Sequence, residues 1–457
     1  MHNSFSFIPP ESKGIFFSGV LGSSLSSLAY MSCIYGYRVA GSDSGENGEI
    51  RKRLEGVGVS VYPTHSAENL NGYDVLVYSS AISDDNPEML HARKNGMTVL
   101  SRAEFLGGII SEYGERIGVS GTHGKSTVSG MLSDIFLADG RDVTAIIGAE
   151  SISLGGALRL GQGDTVIYEA CEYRRAFLDL LPTLAVVLNI EREHVDCYPT
   201  LDDSVASYGE FVKNADACVI DLDCEGCQAL RKTLSGKEVL TFSLTDKKAD
   251  VLAENICSCR GFYSFDVTFV GNKLFSVRLS VPGLHNVKNA LAATAAALLS
   301  GVSAESVKRG LISFKGMRRR LEYVGRCGGA DVYDDYAHHP TEIAATLSAV
   351  AQLGYERVIC AFQPHTYSRT AAFLKEFSEA FSCADEVIFT DIYAAREKNV
   401  YGVSGRTLAD MTAGGTYIPD FKAVQRHLRE RASEGTVILT LGAGRLCEVA
   451  RALTGKN

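Results

Sequence analysis

The residues best suited to chemistry gather first in one stretch, Gly118-Val-Ser-Gly121-Thr122-His123-Gly124-Lys125-Ser126-Thr127. Glycines let backbone N–H groups close around phosphate oxygens. A lysine among them neutralises the outer phosphates of a nucleoside triphosphate, and a hydroxyl beside it binds a divalent cation. Gly121, Thr122, His123, Gly124, Lys125, Ser126 and Thr127 are therefore candidates for holding ATP. The stretch departs from the general G-x-x-x-x-G-K-[ST] pattern, because Val119 stands at the first glycine. The bland alternative is an ordinary turn ahead of a helix. Two later runs carry donors for a metal. Asp164-Thr-Val-Ile-Tyr-Glu169 ends in a carboxylate, and Leu184–Ile190 is followed by Glu191-Arg192-Glu193-His194. Ser126, Glu169 and His194 together offer a hydroxyl, a carboxylate and an imidazole to Mg²⁺ or Mn²⁺; a surface acid and a capping histidine are the alternatives.

Other chemistry-bearing residues lie further along. Pro282-Gly-Leu-His-Asn286-Val-Lys-Asn289 opens an alanine-rich helical pattern, and its two asparagines, on one face, could hydrogen-bond a base or merely cap the helix. Gly316-Met-Arg318-Arg319-Arg320 is a cationic run at a boundary. Asp334-Asp335-Tyr-Ala-His338-His339-Pro-Thr-Glu342 and Gln363-Pro-His365-Thr-Tyr-Ser-Arg369 follow apolar runs, where imidazoles and a guanidinium suit an anionic or amino-acid ligand. Cys224-Glu-Gly-Cys227 and Cys257-Ser-Cys259 could in principle offer thiolates to zinc, with free thiols as the alternative.

Positioning these residues is the work of alternating elements. Residues 14–20 read as a buried strand, Leu25 to Tyr35 as a helix and 38–43 as a second strand: a first βαβ unit of dinucleotide-binding type. Asp43 sits where an acid would reach a ribose hydroxyl, although Gly19, Leu21 and Ser24 occupy the three fingerprint positions. Strands at 74–82 and 98–100 and a helix at 87–95 complete a small α/β region. Ile117 and Val119 lead into the glycine-rich turn as a strand would; Val128, Met131, Leu132, Ile135 and Phe136 continue it as a helix. Residues 261–282 alternate as a hairpin about Gly271-Asn272. Strands at 331–334, 357–361, 386–391 and 436–441, with helices among them, predict a third mostly parallel sheet. The expected fold class is α/β in three domains: 1–106 Rossmann-like, 107–315 a central domain carrying the phosphate loop, and 316–457 a third α/β domain.

The totals narrow the function. The chain has 457 residues, 46% of them apolar and 22% charged, which suits several full cores. A net charge of −9 argues against nucleic acid as a partner. There is no basic segment with an apolar core at the start and no apolar run long enough for a bilayer, so the reading is cytoplasmic and without a membrane partner. Scattered cysteines, 12 in all, suit a reducing compartment.

Taken together, Gly-Thr-His-Gly-Lys-Ser (121–126), Glu-Ala-Cys-Glu-Tyr-Arg-Arg (169–175), Asn-Ile-Glu-Arg-Glu-His (189–194), Pro-Gly-Leu-His-Asn-Val-Lys-Asn-Ala (282–290), Asp-Tyr-Ala-His-His-Pro-Thr-Glu (335–342), Phe-Gln-Pro-His-Thr-Tyr-Ser-Arg-Thr (362–370) and Asp-Ile-Tyr-Ala-Ala-Arg-Glu (391–397) resemble the Mur ligases over nearly the whole chain. The resemblance is strongest to the members that add L-alanine. It implies a UDP-sugar domain (1–106), a central P-loop ATPase (107–315) and a C-terminal Rossmann-like domain (316–457). It implies that ATP with Mg²⁺ (or Mn²⁺) phosphorylates the lactyl carboxylate of UDP-N-acetylmuramate, and that the amine of L-alanine attacks the acyl phosphate. By motif, Lys125, Arg320 and metal at Ser126, Glu169 and His194 screen the anions. Asn286 then meets adenine and Asp335 the ribose of ATP. His338 places or deprotonates the amine, while His365 and Arg369 face the acyl substrate and amino acid. Gly19, Asp43, His65, Ser80 and Arg102 match positions around UDP. Two departures stand out: the family's Gly-x-Gly-Gly-x-Gly-Met is here Gly19-Val-Leu-Gly22-Ser-Ser-Leu25, and its late Gly-Ala-Gly-Asp ends in Arg445. Ser126 for the usual threonine keeps the hydroxyl. A ligase with another acyl donor or amine, such as a peptide-adding recycling enzyme, and a non-catalytic nucleotide-binding regulator stay open, as does a monomeric or homodimeric state.

Overall fold

Short apolar runs flanked by glycine and polar residues become parallel strands, and the amphipathic stretches become the helices that cover them. The computed structural model describes residues 5–12, 14–45, 47–191, 197–395 and 397–456. One compact unit comprises residues 1–254, 266–277 and 288–314; a second comprises 255–265, 278–287 and 315–457.

The first unit begins with a five-stranded parallel sheet, ordered Ser60–Tyr62, Arg38–Ser42, Gly14–Ser18, Val75–Tyr78, Thr98–Ser101. Its order reverses at the first strand, as in doubly wound folds, so ligands gather at the carboxyl ends beside Ser18 and Ser42. Alternation along the strands divides the core. Phe16, Ala40 and Leu76 meet Met89 and Ala92 on one face, while Ile15, Phe17, Val39 and Val77 join Leu25, Leu28 and Phe105 on the other. The strand expected over 74–82 stops at Tyr78. There pairing with Ser18 and Ser101 ends, and Ser79–Ile82 closes a turn instead.

A ten-stranded sheet follows. Glu115–Ser120 runs in parallel with Leu184–Val187 on one side and Thr165–Glu169 on the other. Helix Lys125–Ala138 leaves the end of that strand with Val128, Met131, Leu132, Ile135 and Phe136 fully buried. It packs on helix Ala304–Ser313, where Gly310 allows unusually close approach: a Cβ there would lie 2.3 Å from Ile135 Cα. The hairpin strands are Phe262–Phe269 and Asn272–Pro282. Its tight turn has positive φ at Val270 (47°) and Gly271 (76°), one residue earlier than the sequence suggests.

The second unit is built on a six-stranded sheet, ordered Glu322–Cys327, Ala330–Asp335, Thr436–Leu441, Arg357–Phe362, Glu386–Phe389, Gly415–Tyr417. The first pair is antiparallel and the remainder parallel. The edge strand Glu322–Cys327 was not evident in the sequence, because charged and small residues interrupt its alternation. No helix among the described residues is long and apolar enough to cross a membrane.

Candidate active site

At the carboxyl end of Glu115–Ser120 the chain turns through Gly121 (φ 146°) and Gly124 (φ 87°) into helix Lys125–Ala138. A side chain at Gly124 would meet Asn289 Oδ1 at 2.7 Å and would also strain the left-handed backbone. Asn189, two residues beyond the neighbouring strand Leu184–Val187, braces the turn. Its carbonyl accepts from Thr122 N (3.2 Å) and its Oδ1 from His123 N (2.7 Å), and its Nδ2 donates to the His123 carbonyl (3.1 Å). His123 Nε2 also lies 3.7 Å from Glu191. The turn is thus held from behind, and the N-terminus of the helix supplies the partial positive charge that anions prefer.

Lys125 lies at the mouth of this turn with only 13% of its side chain exposed. Its Nζ donates to both oxygens of Glu172, at 3.0 and 3.2 Å, and to the carbonyls of Gly121 and Thr122. Burial works against its charge, but the acids Glu172 and Glu169, together with Cys171, outweigh that cost and hold its pKa above the ordinary lysine value. Ser126, buried on the next position, donates to Glu169 Oε2 at 2.6 Å; the same oxygen accepts from Gly148 N at 2.9 Å. Glu169 reaches this place because its strand ends in register with Val119. The structure therefore brings Lys125, Ser126 and Glu169 together. His194, the third expected metal ligand, lies outside the described residues. Thr127 is half-buried on the same helix. Glu172 was missed in the sequence; an acid three residues beyond a strand-ending acid was the available signal.

In the five-stranded domain, Gly19 adopts φ 87° and opens the altered loop. Asp43 takes up that loop: Oδ2 accepts from Leu21 N (2.9 Å) and Oδ1 from Gly45 N (2.8 Å). Arg102 donates to Ser24 Oγ at 3.2 Å, and Arg174 approaches the carbonyl of exposed Ser80 at 3.5 Å. His65 Nδ1 lies 2.8 Å from Ser42 Oγ and 3.0 Å from Glu88, a fully buried acid that nothing in the sequence singled out.

A third cluster belongs to the second unit. The rings of His338 and His365 are 5.6 Å apart, His365 stacks on Tyr393 at 5.7 Å, and Arg369 reaches His365 Nδ1 at 3.3 Å. His338 Nδ1 lies 3.0 Å from the Tyr336 carbonyl and 3.5 Å from Glu342. Burial pushes His338 below the ordinary histidine value. Burial, then His338 and Arg369, push His365 to about 4, so it is an uncharged imidazole at neutral pH. Arg320 lies over the Tyr336 ring at 5.6 Å. Asp335 is held by the backbone: Leu321 N (2.6 Å) and Ala337 N (2.7 Å) donate to its two oxygens. Asn286 donates to the Pro282 carbonyl at 2.7 Å. Arg445 points outward and pairs with Glu448 at 2.7 Å. Cys257 and Cys259 are exposed, while Cys224 Sγ accepts from Ile190 N at 3.3 Å.

Comparison with known proteins now adds to this geometry. Three family models match in succession: "Mur ligase family, catalytic domain" over residues 15–113, "Mur ligase middle domain" over 119–297, and "Mur ligase, glutamate ligase domain" over 319–444. A UDP-N-acetylmuramate–L-alanine ligase from Agathobacter rectalis is 40% identical over 97% of this chain and 98% of its own. The chain belongs to the Mur ligase family. Another relative of the same name, from Clostridium beijerinckii, is 39% identical over 96% and 97% of the two chains. Among solved structures, a UDP-N-acetylmuramate–alanine ligase from Thermotoga maritima superposes with a TM-score of 0.84 at 26% identity, covering 97% of this Mur ligase and 98% of that one. A murein peptide ligase from Psychrobacter arcticus shares the fold, with a TM-score of 0.73 at 22% identity. The mixed α/β, three-domain architecture of the Mur ligases is therefore that of this chain.

Proposed function

We propose that this Mur ligase joins L-alanine to the lactyl carboxylate of UDP-N-acetylmuramate at the expense of ATP, through an acyl phosphate. The observation that carries the reading is the juxtaposition of Lys125, Ser126 and Glu169 at a glycine turn, in a chain about 40% identical, end to end, to relatives of that name. A carboxylate resists attack because its leaving group is oxide; transfer of a phosphoryl group makes the leaving group phosphate. Residues 121–127 would hold the triphosphate through backbone N–H groups, with Lys125 drawing charge from the transferring group. Magnesium fits the donor set, since Ser126 Oγ and Glu169 are hard oxygen ligands 2.6 Å apart, with Gly148 N orienting the carboxylate. When bound there it would supply charge screening for the phosphates. His194 is the further ligand we assign.

In the second unit, we assign to His338 the placing or deprotonation of the alanine amine, which must be neutral to attack, while His365, held uncharged by burial, faces the acyl substrate. Arg369 would pair with the amino-acid carboxylate; Arg320 would meet anionic phosphate. Asn286 and Asp335 are assigned to adenosine, and Gly19, Asp43, His65, Ser80 and Arg102 to the UDP moiety. We divide the chain at 1–106, 107–315 and 316–457 for these three tasks and place its work in the cytoplasm, where ATP is made available. ADP release measured with ATP, Mg²⁺ and UDP-N-acetylmuramate should depend on L-alanine. Release that needs a peptide amine instead, or no amine, refutes the assignment.

A further inference from the structure

Glu88 is completely buried, yet it faces only hydrogen-bond donors. Ser18 Oγ (2.5 Å), Ser42 Oγ (2.7 Å) and His65 Nδ1 (3.0 Å) lie against Oε2; Ser66 N (3.3 Å) and Asn69 Nδ2 (3.0 Å) donate to Oε1. Asn69 Nδ2 also donates to the Thr64 carbonyl at 2.9 Å, which fixes the orientation of its amide. A buried carboxylate is tolerable only with such a set, and its place in the first turn of helix Pro87–Lys94 helps further. Ser18 and Ser42 are the last residues of adjacent strands, in register with each other. The acid therefore underlies the carboxyl edge of the sheet, where this fold class binds ligands.

The consequence falls on His65. An acceptor-only carboxylate against Nδ1 requires Nδ1 to carry the proton, whichever way the Ser42 hydroxyl turns. Nε2, on the opposite side of the ring, is then the acceptor of the neutral imidazole, and the side chain is 20% exposed. We propose that Glu88 is a positioning residue of the acyl-donor site, fixing His65 as the Nδ1–H tautomer so that Nε2 accepts from the nucleoside end of the UDP-sugar. This rests on the function proposed above. The negative charge beneath this edge, with Asp43 beside the loop, also favours the donor groups of a uracil or ribose there over the diphosphate.

Glu88→Gln is the direct test, because an amide must turn its NH₂ toward donors on one side or the other. It should raise KM for UDP-N-acetylmuramate about tenfold, the scale of one lost hydrogen bond, with KM for ATP and L-alanine and kcat changed less than about twofold. In a His65→Ala background the same substitution should add nothing further. Nitrogen-15 shifts of His65 should report Nδ1–H in the parent protein and a rise in Nε2–H in Glu88→Gln. If Glu88→Gln fails to accumulate folded, Glu88→Asp, whose shorter side chain draws the carboxylate back from His65 Nδ1, should move the same KM in the same direction. An unchanged KM, an additive effect in the His65→Ala background, or Nε2–H in the parent overturns the proposal. Parent protein that binds ATP but not UDP-N-acetylmuramate in calorimetry would refute the substrate assignment instead, and the tautomer measurement would still decide the role of Glu88.

Discussion

Lys125→Met should separate catalysis from folding in a measurable way. The substitution keeps the apolar stem but removes the charge that sits 3.0 Å from Glu172, whose side chain is only 6% exposed. Removing one partner of a buried pair strands the other, at a cost of about 3–5 kcal/mol. For a domain of this size that lowers the midpoint of thermal unfolding by roughly 6–20 °C. Turnover should fall by about 10²–10³-fold or more, the scale set by removing one preorganised donor to developing charge. Replacing both partners, Lys125→Met with Glu172→Gln, removes the stranded charge and should bring stability back to within about 1 kcal/mol of the parent while leaving the enzyme inactive. Differential scanning calorimetry and coupled ADP release on the single and double variants read the two effects independently. An unchanged midpoint in the single variant would show that the pair is not a buried one in solution. Recovery of turnover in the double variant would remove Lys125 from the chemistry.

Glu169→Gln keeps an oxygen for Gly148 N but weakens the ligand set with Ser126; half-saturating Mg²⁺ in the ADP-release assay should rise at least tenfold, with little change in thermal stability. Chelation of divalent cations should stop turnover reversibly. Asp43→Asn can accept from only one of Leu21 N and Gly45 N through its single oxygen, so KM for UDP-N-acetylmuramate should rise while KM for ATP holds, as measured by steady-state titration. His365 is held at about 4, below the ordinary histidine value near 6.5, so the unfolded chain binds its proton more readily than the folded one. Its contribution to stability is complete above about pH 6.5 and is lost as pH falls toward 4; His365→Gln should flatten the denaturation midpoint across that window.

Strand-and-helix alternation was legible in the sequence because each parallel strand is a continuous apolar run and each covering helix keeps a 3.6-residue stripe. Lys125, Ser126 and Glu169 were legible for a related reason: glycine spacing and a strand-ending acid are local signals. Glu172 and Glu88 were not. Each derives its importance from partners 19 to 70 residues away in sequence, and the one local hint, for Glu172, was its place three residues beyond a strand-ending acid. Asp43 was read as a ribose contact from its place after a strand; the sequence did not show that its two oxygens also accept from the backbone N–H groups of Leu21 and Gly45. The missing glycines of Gly19–Leu25 thus leave a loop organised partly by that acid. The strand Glu322–Cys327 escaped notice because an edge strand needs only one good face.

The contact of Gly310 with Ile135 reverses an intuition about which positions tolerate variation. Helix Ala304–Ser313 carries none of the assigned chemistry, and on that ground alone its sequence would be free to drift. Yet backbone meets backbone at that crossing, and even one methyl group has nowhere to go without shifting the helix that begins at Lys125. Inheritance should therefore police a residue with no side chain, remote from every reacting atom, as strictly as it polices the lysine itself.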